Sequence, residues 1–133
     1  MKQELKTLII FSLQVSQETP EEKFKRIQRS YLEYTSELKE DIEKITDLQE
    51  IEIFETGLEG QLEALLSQAE EMKDASRNDY KNLKKDARSG KFSVRKAERL
   101  YRSYRILYAA LLEEVEEIEV RTRKVYERLQ DNQ

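Results

Sequence analysis

Apolar side chains recur every three or four residues through most of this chain, and few residues interrupt them. The 133 residues include only three glycines and one proline, so few positions favour a turn. Spacings of three and four place side chains on one face of an α-helix. A chain with this pattern is expected to fold into long helices joined by few turns.

Three long helices are predicted, over residues 20–56, 58–89 and 93–131. Each carries an apolar seam that would face the other helices. The seams are Phe24, Ile27, Tyr31, Tyr34, Leu38, Ile42 and Ile45 in the first helix, Leu58, Leu62, Leu65, Ala69, Met72, Ser76 and Leu83 in the second, and Ala97, Leu100, Tyr104, Leu107, Leu111, Val115, Ile118, Thr122, Val125 and Leu129 in the third.

Local signals mark the helix ends. Thr19-Pro20-Glu21-Glu22 supplies an N-cap, a proline at the first helical position and a glutamate three residues after the cap. Asp47 and Glu50 could restart the first helix after a kink, and we expect Gly57 to end or bend it. Ser89-Gly90 is expected to close the second helix and Ser93 to cap the third.

The N-terminal segment, residues 1–17, has no single interpretation. Apolar and polar residues alternate over residues 7–16, as in a strand, but the same residues would also line one face of a helix. We expect a short helix packed on the others, with a lone strand as the alternative.

The predicted fold is all-α, in one domain covering residues 1–133. Helices of similar length with short connections are typical of antiparallel neighbours. We therefore expect an elongated antiparallel helical bundle, or a coiled-coil hairpin that dimerises into a larger bundle.

Composition argues against most chemistry. The chain has no histidine, no cysteine and no tryptophan, so thiol nucleophiles, a Ser-His-Asp triad and zinc sites of the usual type are excluded. We expect no enzyme activity, no metal and no cofactor. The lack of cysteine fits a cytoplasmic protein, and we expect neither a signal peptide nor a membrane span, since the longest apolar run is only Leu8-Ile9-Ile10-Phe11.

Charge is strongly segregated along the chain. Residues 81–105 contain ten basic residues and two acidic ones, a net charge of +8. Residues 37–74 contain thirteen acidic and three basic residues, a net charge of −10, and the whole chain carries −4. Antiparallel helices would give the molecule one basic end and a more acidic opposite end, and such surfaces indicate charged partners.

Six basic residues are the candidate partner-binding site. At 100° per residue, three of them lie opposite Leu83 and three opposite Tyr104, so all should point outward. They are Lys81, Lys85, Arg88, Arg95, Arg99 and Arg102. The expected partner is an acidic protein or other polyanion, with nucleic acid or a second copy of the chain as alternatives. A solvated helix face without a partner is the simpler interpretation.

Two further patterns have structural explanations. Tyr101, Tyr104 and Tyr108 share one helical face, where bases could stack, but a wide core stripe is the favoured interpretation. The acidic run over residues 113–119 is interpreted as a solvated face, because a carboxylate metal site of the usual helical kind also needs histidine.

The sequence therefore favours a non-enzymatic interaction protein, acting as an adaptor, a chaperone-like binder or an inhibitor. A nucleic-acid-binding accessory factor that uses residues 81–105 is the first alternative. The second is a structural protein that self-assembles by contact between its basic and acidic ends.

Overall fold

The computed structural model describes residues 18–132, and three helices account for most of them. They are α1 (Pro20–Glu43), α2 (Leu48–Lys85) and α3 (Lys91–Asp131). Residues 18–132 contain no strand, and the all-α prediction is confirmed. The predictions for residues 1–17, a short helix or a lone strand, lie outside the described residues.

Helix α1 begins as its sequence predicts. The Thr19 hydroxyl accepts a hydrogen bond from the Glu22 backbone N–H over 3.1 Å, and Pro20 occupies the first turn. The Thr19 cap thus satisfies one backbone donor that the first turn leaves free, and the Glu22 carboxylate accepts from the threonine hydroxyl over 3.1 Å.

The break between the first two helices lies next to Asp47, where the sequence allows a kink and a restart, and not at Gly57. Helix α1 ends at Glu43, and α2 begins at Leu48. Asp47 is the N-cap of α2, and its carboxylate accepts a hydrogen bond from the Gln49 N–H over 2.7 Å. Gly57 lies inside α2, so the prediction that it ends the first helix is wrong. The Asp47 cap sets the start of α2, and a helical glycine costs only about 1 kcal/mol relative to alanine.

The turn between α2 and α3 is set by Asp86. Its carboxylate accepts a hydrogen bond from the Arg88 N–H over 2.9 Å, and its carbonyl accepts from the Ser89 N–H over 3.0 Å. Helix α2 therefore ends at Lys85, earlier than predicted. Helix α3 starts after an extended Gly90 without a side-chain cap, so the predicted cap, Ser93, lies within the helix.

Helix α3 packs against both other helices. Tyr80 of α2 stacks on Tyr101, and Glu70 lies within hydrogen-bond distance of Tyr108, so α2 and α3 run in opposite directions. Helices α1 and α3 run in the same direction, because Phe24 contacts Tyr104 and, further along both helices, Lys39 contacts Glu114. The start of α1, the end of α2 and the start of α3 therefore share one end of the molecule.

The core lies where the seams meet. Most predicted seam residues are buried, while Phe24, Met72 and Leu129 are half-buried at its edge. Between α1 and α2 the contacts include long side chains: the Tyr34 hydroxyl donates to Gln61 Oε1 over 2.9 Å. Within residues 18–132, every buried polar side-chain atom has a hydrogen-bond partner, and no helix there is long and apolar enough to cross a membrane.

Candidate interaction surface

All six predicted partner-binding residues are exposed near one end of the molecule. Lys81 and Lys85 lie in the last turns of α2, Arg88 lies in the following turn, and the three arginines lie in the first turns of α3. Their side chains contribute nothing to the core. Charge at these positions can therefore change with little effect on packing.

Most of these cations form no ion pair within the described part of the chain. Arg102 pairs with Glu98 one turn earlier (Nη2–Oε1 2.6 Å), and Arg88 lies 3.4 Å from the Asp86 carboxylate. The other four form no ion pair within residues 18–132. They are Lys81, Lys85, Arg95 and Arg99.

The six residues lie on two antiparallel helices and the turn between them. Tyr80 and Tyr101 stack with centroids 6.3 Å apart, which marks the side on which α2 and α3 meet. At 100° per residue, Lys81 and Lys85 lie about 100° and 140° around α2 from Tyr80. The three α3 arginines lie about 100° to 160° around that helix from Tyr101. These angles have the same sense on two antiparallel helices, so Lys81, Arg95 and Arg102 turn towards the same side of the α2–α3 pair, while Lys85 and Arg99 point further away from the contact.

A groove between α1 and α3 adjoins the arginines. Phe24 and Leu100 line it, and Phe92, with 71% of its surface exposed, stands at its edge. Lys96 and Arg99 also line this space of about 450 Å³. Sequence reasoning missed the groove because it joins residues of two helices more than sixty positions apart.

The tyrosine face of α3 belongs to the helix interfaces. Tyr104 is buried and meets Phe24 edge to face, while Tyr101 stacks on Tyr80. Tyr108 is half-buried, and the Lys73 ammonium lies 4.5 Å from its ring centroid. Burial raises the pKa of Tyr104 above its ordinary value. The interpretation of this face as a wide core stripe is therefore confirmed.

The acidic run of α3 divides into two sets. Glu114 and Glu117 both pair with Lys39 of α1, and Arg121 bridges Glu117 (2.8 Å) and Glu43 (3.0 Å). These contacts were not predicted, since the run was interpreted as a solvated face, and they tie α3 to α1. Glu113, Glu116 and Glu119 are exposed and form no ion pair within the described part of the chain.

Hydrogen bonds among Lys39, Glu114, Glu117 and Arg121 shift the pKa values of two of these groups. Hydrogen bonds from Lys39 and then Arg121 lower the pKa of Glu117. Burial alone would lower the pKa of Lys39, but its hydrogen bonds with Glu114 and Glu117 outweigh burial and raise it. Among residues 18–132 no cluster of three or more carboxylates is arranged to hold a metal ion.

Comparisons with known proteins do not assign a function: no family model matches the chain, and neither the curated proteins nor the solved structures gave a match.

Proposed function

We propose that this protein is a non-enzymatic interaction protein: an elongated helical bundle that binds an acidic macromolecule through its basic end. One observation carries the proposal. Four exposed cations, Lys81, Lys85, Arg95 and Arg99, form no ion pair within residues 18–132, although the whole chain has a net charge of −4. In a chain with excess acid, a cluster of unneutralised cations is available to an acidic partner.

Binding at such a surface is cumulative. An exposed ion pair contributes about 0–1 kcal/mol, so no single cation decides affinity. The main effect of these charges is to speed encounter with the partner, and this effect weakens as salt rises. Such a surface would serve an adaptor, a chaperone-like binder or an inhibitor.

An acidic protein is favoured over nucleic acid as the partner. Two acidic residues stand among the cations: Glu21 pairs with Lys96, and Glu98 pairs with Arg102. The calculated pI of about 5.2 differs from the strongly basic character typical of nucleic-acid-binding domains. The nearby groove also offers an apolar contact, at Phe92, to a protein side chain.

Affinity capture from the native host tests the proposal, with the lysate divided into nuclease-treated and untreated halves. The test variant is Arg95→Glu/Arg99→Glu/Arg102→Glu, and the control is Lys44→Glu/Lys124→Glu/Arg128→Glu. Both change net charge by the same amount at exposed positions. We expect the wild type and the control to retain an acidic protein after nuclease treatment, and the test variant to lose it while its helicity is unchanged.

Two outcomes contradict the proposal. Capture that disappears on nuclease treatment would indicate a nucleic-acid partner. Undiminished capture by the test variant would show that the arginines are a solvated face. For the purified pair, charge reversal should slow association more than it changes dissociation, as expected for contacts that steer encounter.

A further inference from the structure

The outer face of α3 carries a second stripe, separate from its buried seam. Its members follow one another at alternating spacings of four and three residues, which is the heptad pattern of helix pairing. All of them are exposed. The stripe consists of Arg95, Arg99, Arg102, Ile106, Ala109, Glu113, Glu116 and Val120.

The stripe is basic at one end, apolar in the middle and acidic at the other end, so it matches a second copy of itself that runs in the opposite direction. Three arginines come first, Ile106 and Ala109 form the centre, and Glu113 and Glu116 follow. Ile106 exposes 70% of its surface, although it is a large apolar residue. A second copy lying in the opposite direction would place acids against arginines on both sides of an apolar centre.

We infer that two copies of this protein pair through the outer stripes of their α3 helices, in antiparallel orientation about a two-fold axis. In the register that best matches charges, Ile106 faces Ala109 of the second copy. Arg102 then faces Glu113, Arg99 faces Glu116, and the aliphatic part of Arg95 covers Val120. Two-fold symmetry produces every one of these contacts twice and closes the assembly at a dimer.

Several charges of the stripe form no ion pair within the described part of the single chain, and this supports pairing with a second copy. Arg99, Glu113 and Glu116 form no ion pair within residues 18–132, so pairing between copies breaks no existing contact at these positions. Arg102 does pair with Glu98 (2.6 Å), and this contact competes with Glu113. The neighbouring acids Glu114 and Glu117 already pair with α1 and lie outside the stripe.

Other arrangements of two copies fit less well. Parallel stripes would set arginines against arginines and glutamates against glutamates, which is unfavourable. Contact between the basic and acidic ends would leave the exposed Ile106 uncovered. Because the stripe has few apolar residues and its ion pairs are exposed, the antiparallel dimer should be weak and sensitive to salt.

This inference does not depend on the proposed function, but the two share residues. The dimer would cover Arg95, Arg99 and Arg102, which the acidic partner needs. Self-association would therefore compete with partner binding, and an acidic partner would shift the protein towards the single chain.

Sedimentation equilibrium at low salt tests the charge pattern with two half-swaps and a full swap. Arg99→Glu/Arg102→Glu and Glu113→Arg/Glu116→Arg each place like charges together, so each should weaken the dimer at least about tenfold. Combining all four changes exchanges the two charge blocks and should restore the wild-type dimer. Lys124→Glu/Arg128→Glu is the control, because it changes charge as the first variant does but lies beyond the stripe.

Cross-linking tests the orientation, and the absence of native cysteine keeps it specific. In the proposed register two copies of residue 109 lie about 4.5 Å apart along the axis, whereas two copies of residue 95 lie about 38 Å apart. A short bismaleimide should therefore link Ala109→Cys chains into dimers but not Arg95→Cys chains. Helicity measured by circular dichroism confirms that each variant is folded.

Three results would overturn the inference: a wild type that stays a single chain at millimolar concentration and low salt, a full swap that does not restore the dimer, or cross-linking at residue 95 without cross-linking at 109. The variant Glu113→Arg/Glu116→Arg separates the two proposals, because it keeps all three arginines. Capture of an acidic protein by this variant would support the proposed function even if no dimer forms.

Discussion

Phe24 of α1 and Tyr104 of α3 meet edge to face, with ring centroids 5.0 Å apart and an angle of 87° between the ring planes. Their positions differ by eighty residues, yet this contact fixes how the first turns of α1 lie on α3. Arrangements of this kind add about 0.5–1.5 kcal/mol to the effect of burial alone. Phe24 also lines the groove beside Arg99.

Truncating Phe24 should therefore destabilise the protein measurably. Because Phe24 is half-buried, Phe24→Ala should cost about 1–3 kcal/mol, less than the roughly 3–5 kcal/mol of a fully buried phenylalanine. Phe92→Ala is the matched control, since 71% of Phe92 is exposed, and it should change stability by less than about 0.5 kcal/mol. Urea denaturation measures both, and equal effects would show that the contact with Tyr104 contributes little.

Replacing a seam leucine with alanine should lower the unfolding free energy more, the more deeply that leucine is buried. Leu65, Leu107 and Leu111 are at most 2% exposed, so replacing each with alanine should cost about 2–5 kcal/mol. Leu83 is half-buried near the basic end, and Leu83→Ala should cost clearly less. Chemical denaturation of the four variants gives the order, and a loss below about 0.5 kcal/mol at the three buried sites would contradict the packing described.

Acid should weaken the contact between α1 and α3 through Glu117. The pKa of Glu117 is lowered in the folded chain, first by a hydrogen bond from Lys39 and then by one from Arg121. A glutamate in the unfolded chain has a pKa of about 4.3. The unfolded state thus binds the proton more readily. The stabilisation is present above the unfolded pKa and is lost as pH falls through the folded pKa.

Glu117→Gln should accordingly flatten the dependence of unfolding free energy on pH in the acid range. Glu127→Gln is the control, because Glu127 is exposed and forms no ion pair within the described residues. Denaturation curves collected between neutral pH and about pH 2 reveal the slope. If both variants kept the wild-type slope, the network around Lys39 would have no part in acid stability.

Local signals and periodicity predicted much of the fold. The Thr19-Pro20 start of α1 and the buried faces of all three helices follow from residue spacing and capping chemistry. The break at residues 44–47 was predicted only as a kink near Asp47, because Ile42, Ile45 and Leu48 keep a spacing of three straight through it. A seam that continues across a break gives no sign of it.

The candidate surface was only partly predictable. Outward placement of Arg95, Arg99 and Arg102 follows from their phase relative to Tyr104 on one helix. Where they lie relative to Lys81 and Lys85 depends on how α2 and α3 are rotated against each other, which packing decides. Ion pairs such as Arg121 with Glu43 join residues 78 positions apart, and no local pattern indicates them.

The glycines of α2 lead to a final prediction, since the structure places them where the sequence suggested an end. Neither has a positive φ. A Cβ on Gly60 would meet no atom within 4 Å, and one on Gly57 would meet only the Gln61 side chain, at 3.7 Å. Glycine therefore has no steric function at either position, and it only adds freedom to the unfolded chain.

Gly60→Ala should raise the unfolding free energy by about 0.5–1 kcal/mol, and Gly57→Ala by a similar amount, because alanine is the better helix former. Gly90→Ala is the matched control. Gly90 also has open space around it, but it is the extended N-cap of α3, a position that disfavours alanine. It should therefore give no gain. Thermal and urea denaturation compare the three variants, and a loss of stability at Gly60 would mean that α2 is not continuous through residues 57–60.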